Sequence, residues 1–254
     1  MERHSIILER RSICVKMPRM GKKTARHKRR DESLSRERII NGSIELLDSS
    51  GESGLTFRAL SEHLATGPGA IYWHIASKDD LLAAACDAVV ARTMNKVVIT
   101  TPEETIRAVA LGFFDVIDEH PWVGSALTGS AQLSPIVRIL ERIGQQIRAL
   151  GVPEEQQWAS AGALMAYILG VSKQNAANGQ FARSRGLDRS DFLAAVSASW
   201  SQLDPTEYPF TRSVAGRIRD HDDRVDFIAG IDLILTGVKA RLADQTSAPL
   251  ATLV

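Results

Sequence analysis

The feature that most constrains the fold is a set of short helical patterns, separated by tight breaks, in the first third of the chain. Ile40, Ile44 and Leu47 recur at spacings of four and three, which places them on one apolar stripe of a helix. Ser35 can cap the start of this helix, and the glycine-bounded segment 51–54 ends it. A short helix with one buried face is therefore predicted.

Three more helices follow closely. Thr56 suits the N-cap of the second. After a tight turn, Pro68 suits the first position of the third, because the N–H that proline lacks would be unpaired there, and that helix runs through residues 70–75. Ser77, with Asp80 three residues later, predicts a capping box that opens a fourth helix. The inward side of that helix carries Leu81, Leu82, Ala85 and Val89.

This order of helices and breaks predicts a helix-turn-helix unit at residues 35–76. Its third helix begins with Gly69 and Ala70, whose small side chains would leave the leading edge free to approach a DNA backbone. Arg58, near the start of the second helix, could bind a guanine through two hydrogen bonds. Lys78 would add a cation beside the N–H groups that open the fourth helix, a favourable place for an anion.

Three side chains on the third helix could contact nucleic acid. Tyr72, Trp73 and His74 offer a hydroxyl, an indole N–H and an imidazole, each able to bond to phosphate or to a base edge. The alternative is that the aromatic rings belong to the core. Ile71 and Ile75 already fill the inward positions, however, so at least one of the two neighbouring rings must face outward.

The rest of the chain is also predicted to be helical, which makes the fold class all-α. Its polar stretch 174–222 is predicted to be a long loop bearing one helix. The candidate helices lie at about 103–119, 135–149, 154–173, 191–202 and 223–242.

Basic residues are concentrated at the N-terminus. Residues 1–30 hold 11 of the 31 Lys and Arg and only two acids, so they carry +9 and the remainder −8. The segment lacks helical periodicity and is predicted to be disordered. A basic arm on an acidic body is typical of polyanion binding, whereas a solvated tail without function is the alternative. Residues 34–80 hold four bases and seven acids. We therefore predict that residues 19–30 supply much of the affinity for DNA.

Composition and motifs exclude several classes. No apolar run approaches the ~20 residues that span a bilayer, and no signal-peptide core occurs, which predicts a cytoplasmic protein with no membrane partner. Cys14 and Cys86 form no C-x-x-C pair, and Cys86 is expected to be a small buried residue. No phosphate-binding, metalloprotease, nucleophile-elbow or dinucleotide motif occurs. The sequence therefore predicts no catalytic residue, metal or cofactor, and an enzyme is the less favoured class.

These segments together resemble a known family. The strings L-S-R-E-R-I-I, G-L-T-F-R-A-L-S-E-H-L and A-I-Y-W-H-I-A-S-K-D-D-L-L resemble the DNA-binding domain of TetR-type regulators over residues 33–93. The strings H-P-W at 120–122, Y-I-L-G at 167–170 and D-F-I-A-G-I-D-L at 226–233 resemble the tetracycline-repressor-like C-terminal domain.

The resemblance implies a basic arm at residues 1–32, a three-helix helix-turn-helix DNA-binding domain at 33–93, and a helical ligand-binding and dimerisation domain at 94–245. It implies a homodimer whose recognition helices enter successive major grooves, ~34–36 Å apart, on a palindromic operator. DNA contacts would fall on Thr56, Arg58, Gly69, Ala70, Tyr72, Trp73, His74 and Lys78. Relatives often have polar residues in place of Gly69 and Ala70, so the operator sequence does not follow.

For the C-terminal domain, the resemblance implies a cavity for an unidentified small-molecule effector. Candidate lining residues, all equally explicable as core, are Phe113, Phe114, Ile117, Trp122, Leu127, Leu140 and Trp158. His120, before Pro121, is expected to cap a helix end rather than touch a ligand. Met94 and Leu127 align with the tetracycline-binding histidines, so tetracycline–magnesium is not the expected effector.

The resemblance also implies a dimer interface built from the helices at 154–173 and 223–242, for which ordinary intramolecular packing is the alternative. The first offers small residues, and the second apolar area: Ala159, Gly162, Ala163, Ala166 and Gly170, then Phe227, Ile231, Ile234 and Val238. The predicted function is that of a ligand-responsive repressor, released from its operator by the effector. The alternative is a ligand-independent architectural DNA-binding protein, which would need no cavity.

Overall fold

A computed structural model describes residues 34–98, 100–129 and 134–247. Within these residues the chain forms eleven α-helices and no β-strand, so the predicted all-α class is confirmed. All of these helices belong to one compact unit. The predicted arm at residues 1–32 lies outside the described residues. No described helix is long and apolar enough to cross a bilayer.

Four helices build the N-terminal region and seven follow. The first four are α1 (Arg36–Gly54), α2 (Phe57–His63), α3 (Pro68–Tyr72) and α4 (Lys78–Met94). The others are α5 (Pro102–Glu119), α6 (Pro121–Gly129), α7 (Ser134–Ala149), α8 (Glu154–Ser184), α9 (Arg189–Ser201), α10 (Pro209–Ile218) and α11 (Asp223–Ser247).

Local signals account for the boundaries of the first helices. Thr56 Oγ1 accepts a hydrogen bond from the N–H of Ala59 at 3.0 Å, and Ser77 Oγ accepts one from the N–H of Asp80 at 3.1 Å. Both predicted N-caps are therefore confirmed, but the reciprocal half of the capping box is replaced by a hydrogen bond from the Ser77 hydroxyl to the Asp80 carboxylate at 2.8 Å. Gly51 has a φ of 66°, a left-handed conformation that glycine adopts without strain, and it breaks the end of α1. The third helix is shorter than predicted, since it ends at Tyr72.

The prediction of a long loop at 174–222 was wrong, although the one helix predicted within it, at about 191–202, is present as α9. Helix α8 continues to Ser184, and α9 and α10 occupy most of the remainder. The continuation of α8 is mostly polar outside and buries Ala176 and Ala182, and its Phe181 ring contacts Phe192 of α9 edge-on. Asp188 caps α9 by accepting the N–H of Asp191 at 2.8 Å. Short α6, which follows α5 directly, was also not predicted.

The core of the C-terminal region lies where α5 packs on α7, α8 and α11. Phe113 and Ile117 of α5 are fully buried, and Phe114 contacts Phe227 of α11 with ring centroids 4.9 Å apart. Cys86 of α4 is also fully buried. Burial, with a smaller effect from the charge of Asp87, raises the pKa of the Cys86 thiol to about 12. This cysteine therefore packs as a small hydrophobic residue.

Gly230 of α11 leaves room for the Tyr167 side chain of α8. The ring of Tyr167 stacks on Phe227 with centroids 5.6 Å apart, and its hydroxyl donates to the Phe227 carbonyl at 3.2 Å. A Cβ at position 230 would lie 1.9 Å from the Tyr167 oxygen. Only a glycine leaves room for this ring.

Gly230→Ala should therefore destabilise the protein by about 1–3 kcal/mol, the usual cost of overpacking. Gly216→Ala is the matched control, because a Cβ there meets nothing within 4 Å. That substitution should stabilise α10 by up to about 1 kcal/mol through helix propensity. Urea unfolding of both variants measures the difference, and equal midpoints would contradict the predicted overlap with Tyr167.

Candidate nucleic-acid interface and ligand clefts

Helices α2 and α3 meet through a buried side and leave the opposite side open. Leu60 of α2 and Ile71 of α3 are fully buried, and Ile75 is 4% exposed. The turn between the helices contains Ala65 with a φ of 50°, the only left-handed non-glycine residue in the described part of the chain. The two short helices are thus fixed by a tight turn and a shared apolar core.

The aromatic side chains after Ile71 both face solvent. Tyr72 is 54% exposed and Trp73 is 90% exposed. The spacing of Ile71 and Ile75 predicts that at least one of these rings faces outward, and in the structure both rings do. The Tyr72 ring stacks on Phe57, with centroids 4.2 Å apart and planes 11° from parallel. Phe57 was not singled out from the sequence, yet it orients Tyr72 and joins the start of α2 to the end of α3.

The leading edge of α3 is unobstructed. A Cβ at Gly67 or Gly69 would meet no atom within 4 Å. Ala70 is half-buried and His74 is exposed. This edge can therefore approach an extended backbone without a clash, which is the property expected of a recognition helix.

Arg58 and Lys78, the two cationic candidates, already form contacts within the protein. Arg58 Nε forms an ion pair with Glu62 Oε1 at 3.0 Å, and the arginine side chain is 88% exposed. Lys78 Nζ donates to the Glu52 carbonyl at 2.6 Å, which ties the start of α4 to the end of α1. Thr56 uses its hydroxyl oxygen as an N-cap acceptor. The charge of Arg58 is thus partly offset by Glu62, whereas Lys78 keeps its charge and is held in place by a backbone carbonyl.

A hydrogen-bonded corner connects the helix-turn-helix region to the C-terminal region. Asp48 Oδ1 of α1 lies 2.7 Å from His120 Nδ1 and accepts the Trp122 indole N–H, also at 2.7 Å. The His120 N–H bonds to the Val116 carbonyl at 2.8 Å and so closes the end of α5, which confirms its predicted capping role. No sequence signal connected Asp48 to residues more than seventy positions away.

The predicted ligand residues lie mostly inside the packed core. Phe113, Phe114, Ile117, Trp122 and Leu127 are buried, Leu140 is half-buried, and Trp158 is 75% exposed on α8. Hydrophobic residues mark both cores and cavities, so the sequence could not separate the two.

Open clefts lie beside this core. One of about 660 Å³ lies between α5, α8, α9 and the start of α11, and Phe114 is its one predicted member. A second of about 350 Å³ adjoins it along α8 and α11. A third of about 760 Å³ runs along α1, α5 and α6, where Trp122 contributes. Most lining residues are polar and were not selected from the sequence.

Three features define a helix-turn-helix protein. They are the buried contact between α2 and α3, the open edge of α3 and the outward aromatic rings at the end of α3. The sequence profile of the bacterial regulatory proteins of the tetR family matches residues 39–85. The solved structure of the transcriptional regulator SCO7222, a TetR from Streptomyces coelicolor, is 51% identical with a TM-score of 0.74. That match covers 82% of this chain and 98% of SCO7222. The chain belongs to the TetR family.

Other relatives match less completely. An HTH-type transcriptional repressor of Mycobacterium tuberculosis, Rv1353c, is 32% identical over 117 residues. The chain spans 43% of that repressor and 59% of an HTH-type transcriptional regulator of Saccharopolyspora erythraea, which is 27% identical. It thus spans about half the length of these curated relatives.

Two solved structures carry bound molecules. BioQ with its natural double-stranded DNA operator is 28% identical, with a TM-score of 0.52, over 60% of this chain and 93% of BioQ. ActR of Streptomyces coelicolor in complex with actinorhodin is 20% identical, with a TM-score of 0.67, over 82% of this chain and 96% of ActR. At that identity ActR shares the fold alone.

Proposed function

We propose that the protein is a ligand-responsive transcriptional repressor that binds a palindromic operator as a homodimer and leaves it when a small molecule binds. The observation that carries the proposal is the outward projection of Tyr72 and Trp73 beside the open edge of α3. An exposed pair of large aromatic rings is costly in water unless a partner covers it. The DNA-bound structure of BioQ supports duplex DNA as that partner.

The proposed DNA contacts are the eight residues around α3. Tyr72 and Trp73 would bond to phosphates or base edges in the major groove, and the stack on Phe57 would hold Tyr72 ready for this contact. Phosphate contacts position such a helix and base contacts give specificity. The other proposed contacts are Thr56, Arg58, Gly69, Ala70, His74 and Lys78.

The direct test is to select bound fragments from genomic DNA of the source organism and to measure their affinity by fluorescence anisotropy. Trp73→Ala should weaken operator binding by about 30-fold or more, because a good contact is worth about 1–3 kcal/mol and is lost twice per dimer. Since Trp73 is 90% exposed, the melting temperature should not change.

Phe210→Ala is the matched control, because Phe210 is 76% exposed on α10, away from α3. It should bind the operator as the unsubstituted protein does. If no palindromic fragment is selected, or if Trp73→Ala binds with full affinity, the proposed DNA contact is wrong.

We propose that α8 and α11 form the dimer interface. Small residues of α8 face solvent at helical spacing, namely Ala159, Ala163, Ala166 and Gly170. A Cβ at Gly170 of α8 or at Gly237 of α11 would meet no atom within 4 Å, which leaves room for a second subunit. Leu233 of α11 and Trp158 of α8 are each 75% exposed and would supply the apolar area.

The apolar residues of α11 differ from those expected from the sequence. Phe227 and Ile231 are buried within the subunit, while Ile234 and Val238 are half-buried. Phe227 packs on Phe114 of α5 and on Tyr167 of α8, so this side of α11 faces the core of its own subunit. Leu233 and Val225 are the large apolar side chains of α11 that face outward.

For release, we propose that the effector changes the position of the α5–α6 corner relative to α1. That corner holds Asp48 through His120 and Trp122, so its movement would act on the helix that supports α2 and α3. By linkage, operator DNA must then lower the affinity for the effector as much as the effector lowers the affinity for DNA, typically by about 1–3 kcal/mol. The ActR–actinorhodin complex supports a small-molecule site in this fold.

A further inference from the structure

An ion pair on α2 lies beside the recognition helix. Arg58 Nε donates a hydrogen bond to Glu62 Oε1 at 3.0 Å, and the two side chains are 88% and 68% exposed. Arg58 directly follows Phe57, whose ring stacks on Tyr72, so the pair begins where the start of α2 meets the end of α3. A carboxylate on this helix opposes DNA binding, because phosphates repel it.

The stability of α2 does not account for the order of the two charges. Arg58 is the second residue of this seven-residue helix, and Glu62 is the sixth. The partial charges at the two ends of a helix favour the opposite order, with the acid near the N-terminus. Pairs four residues apart are also stronger when the acid comes first, and exposed pairs contribute little to stability in either order. The helix would therefore be more stable with the two charges exchanged.

The geometry of the pair leaves one edge of the guanidinium open. Arginine has five N–H groups in one plane, and Glu62 accepts the one on Nε. Within the part of the chain that the structure describes, the two terminal nitrogens of Arg58 donate to no other group. Their edge matches O6 and N7 of guanine, the acceptors that an arginine reads in the major groove. Glu62 thus restrains the side chain without occupying the atoms that would contact a base.

The same carboxylate disfavours a phosphate as the partner of Arg58. If Arg58 bound a phosphate, Glu62 Oε1, at 3.0 Å from Nε, would lie close to the phosphate oxygens, and the two anions would repel each other. The edge of a guanine carries no net charge, so the repulsion is weaker there. Discrimination between two partners often depends on such a repulsive element against the wrong one.

We propose, building on the repressor function proposed above, that Glu62 is a positioning residue that directs Arg58 to a guanine of the operator. The carboxylate holds the guanidinium in one orientation through Nε, and the open edge of the guanidinium then reads a G·C pair in each half-site. Affinity for other DNA is lower as a result, because Glu62 offsets one of the four bases in residues 34–80.

The test compares Glu62→Ala with Glu62→Gln on operator fragments selected from genomic DNA. Both variants remove the same charge, but the amide oxygen of glutamine can still accept the Arg58 N–H. Each guanine of one half-site is replaced in turn by 7-deazaguanine, which lacks the N7 acceptor, and affinity is measured by anisotropy. Arg58→Ala identifies the guanine that Arg58 reads, because the affinity of this variant should not respond to that replacement.

At that guanine, the replacement should weaken binding of the unsubstituted protein by at least about fivefold, since one of two hydrogen bonds is lost. The loss should shrink to less than about twofold for Glu62→Ala, and Glu62→Gln should lie between these values. Both variants should bind duplexes without the operator about threefold more tightly, because each removes two carboxylates per dimer from the DNA surface. Their melting temperatures should not change, since Glu62 is exposed.

Glu37→Ala is the matched control, because Glu37 is an exposed carboxylate in the first turn of α1, outside the pair. Its response to 7-deazaguanine should equal that of the unsubstituted protein. Three results would overturn the positioning role: a Glu62→Ala protein with the full response, equal responses of the alanine and glutamine variants, or an Arg58→Ala protein that responds as the unsubstituted protein does at every guanine.

These results also distinguish the positioning role from the repressor function. A protein that binds its operator with a guanine response independent of Glu62 refutes the positioning role and leaves the repressor proposal standing. A protein that selects no operator fragment refutes both.

Discussion

Replacing Leu233 with aspartate should yield a folded monomer that has lost its operator affinity. Leu233 is 75% exposed on α11, so the subunit does not need it for its own core. In the proposed two-fold interface, each substitution occurs twice and places an unpaired carboxylate in an apolar contact, which costs several kcal/mol. The dimer should therefore dissociate at micromolar concentrations.

Loss of the dimer removes the gain from binding two half-sites at once, which is about 10²- to 10⁴-fold. Light scattering gives the mass of the particle, and anisotropy compares a palindromic operator with a single half-site. The palindrome should lose affinity while the half-site is bound as before. Val137→Asp, on α7, is the matched control because Val137 is also exposed, at 55%. A Leu233→Asp protein that remains dimeric would refute the interface.

Removing residues 19–30 should cause the second large loss of operator affinity. This segment carries seven Lys and Arg and no acid, whereas the helix-turn-helix region is acidic and its Arg58 is offset by Glu62. If three of the seven contact phosphates in each protomer, the dimer loses six contacts, and the log–log salt slope falls by about 5. Affinity at ~0.15 M salt should then fall by more than about 100-fold.

The measurement is operator affinity between ~0.05 and ~0.4 M salt for the full chain and the deletion. A chain that ends at Ser247 is the control, because the seven residues it lacks carry no charge. Its affinity and salt slope should match those of the full chain. An arm deletion with an unchanged slope would show that residues 19–30 do not contact phosphate.

Local signals in the sequence were sufficient for the N-terminal region. Thr56 and Ser77 cap their helices through backbone N–H groups three residues away, and such short-range chemistry can be predicted without a fold. The spacing of Ile71 and Ile75, which fill the inward side, predicted that at least one of Tyr72 and Trp73 faces outward. These features depend on helix geometry alone.

Features that depend on distant partners could not be predicted. The stack of Tyr72 on Phe57 and the contact of Asp48 with Trp122 require the packed structure. Trp158, a candidate for either the cavity or the core, is 75% exposed; the sequence alone does not separate these places, because aromatic side chains occur in cores, cavities and interfaces alike. The polar cavity was missed because its aspartates resemble ordinary surface residues until α5, α8 and α9 are brought together.

One oxygen of the Asp48 carboxylate holds the corner between the two regions through two hydrogen bonds. Hydrogen bonds weaken steeply once length or angle leaves the normal range, and here one carboxylate oxygen serves both His120 and Trp122. Helices in apolar contact can shift by small steps. A single acceptor oxygen, in contrast, keeps both hydrogen bonds only while His120 and Trp122 stay within bonding distance and angle of it. We therefore expect the corner and α1 to separate only when both bonds open together, which would make the release proposed above sharp rather than graded.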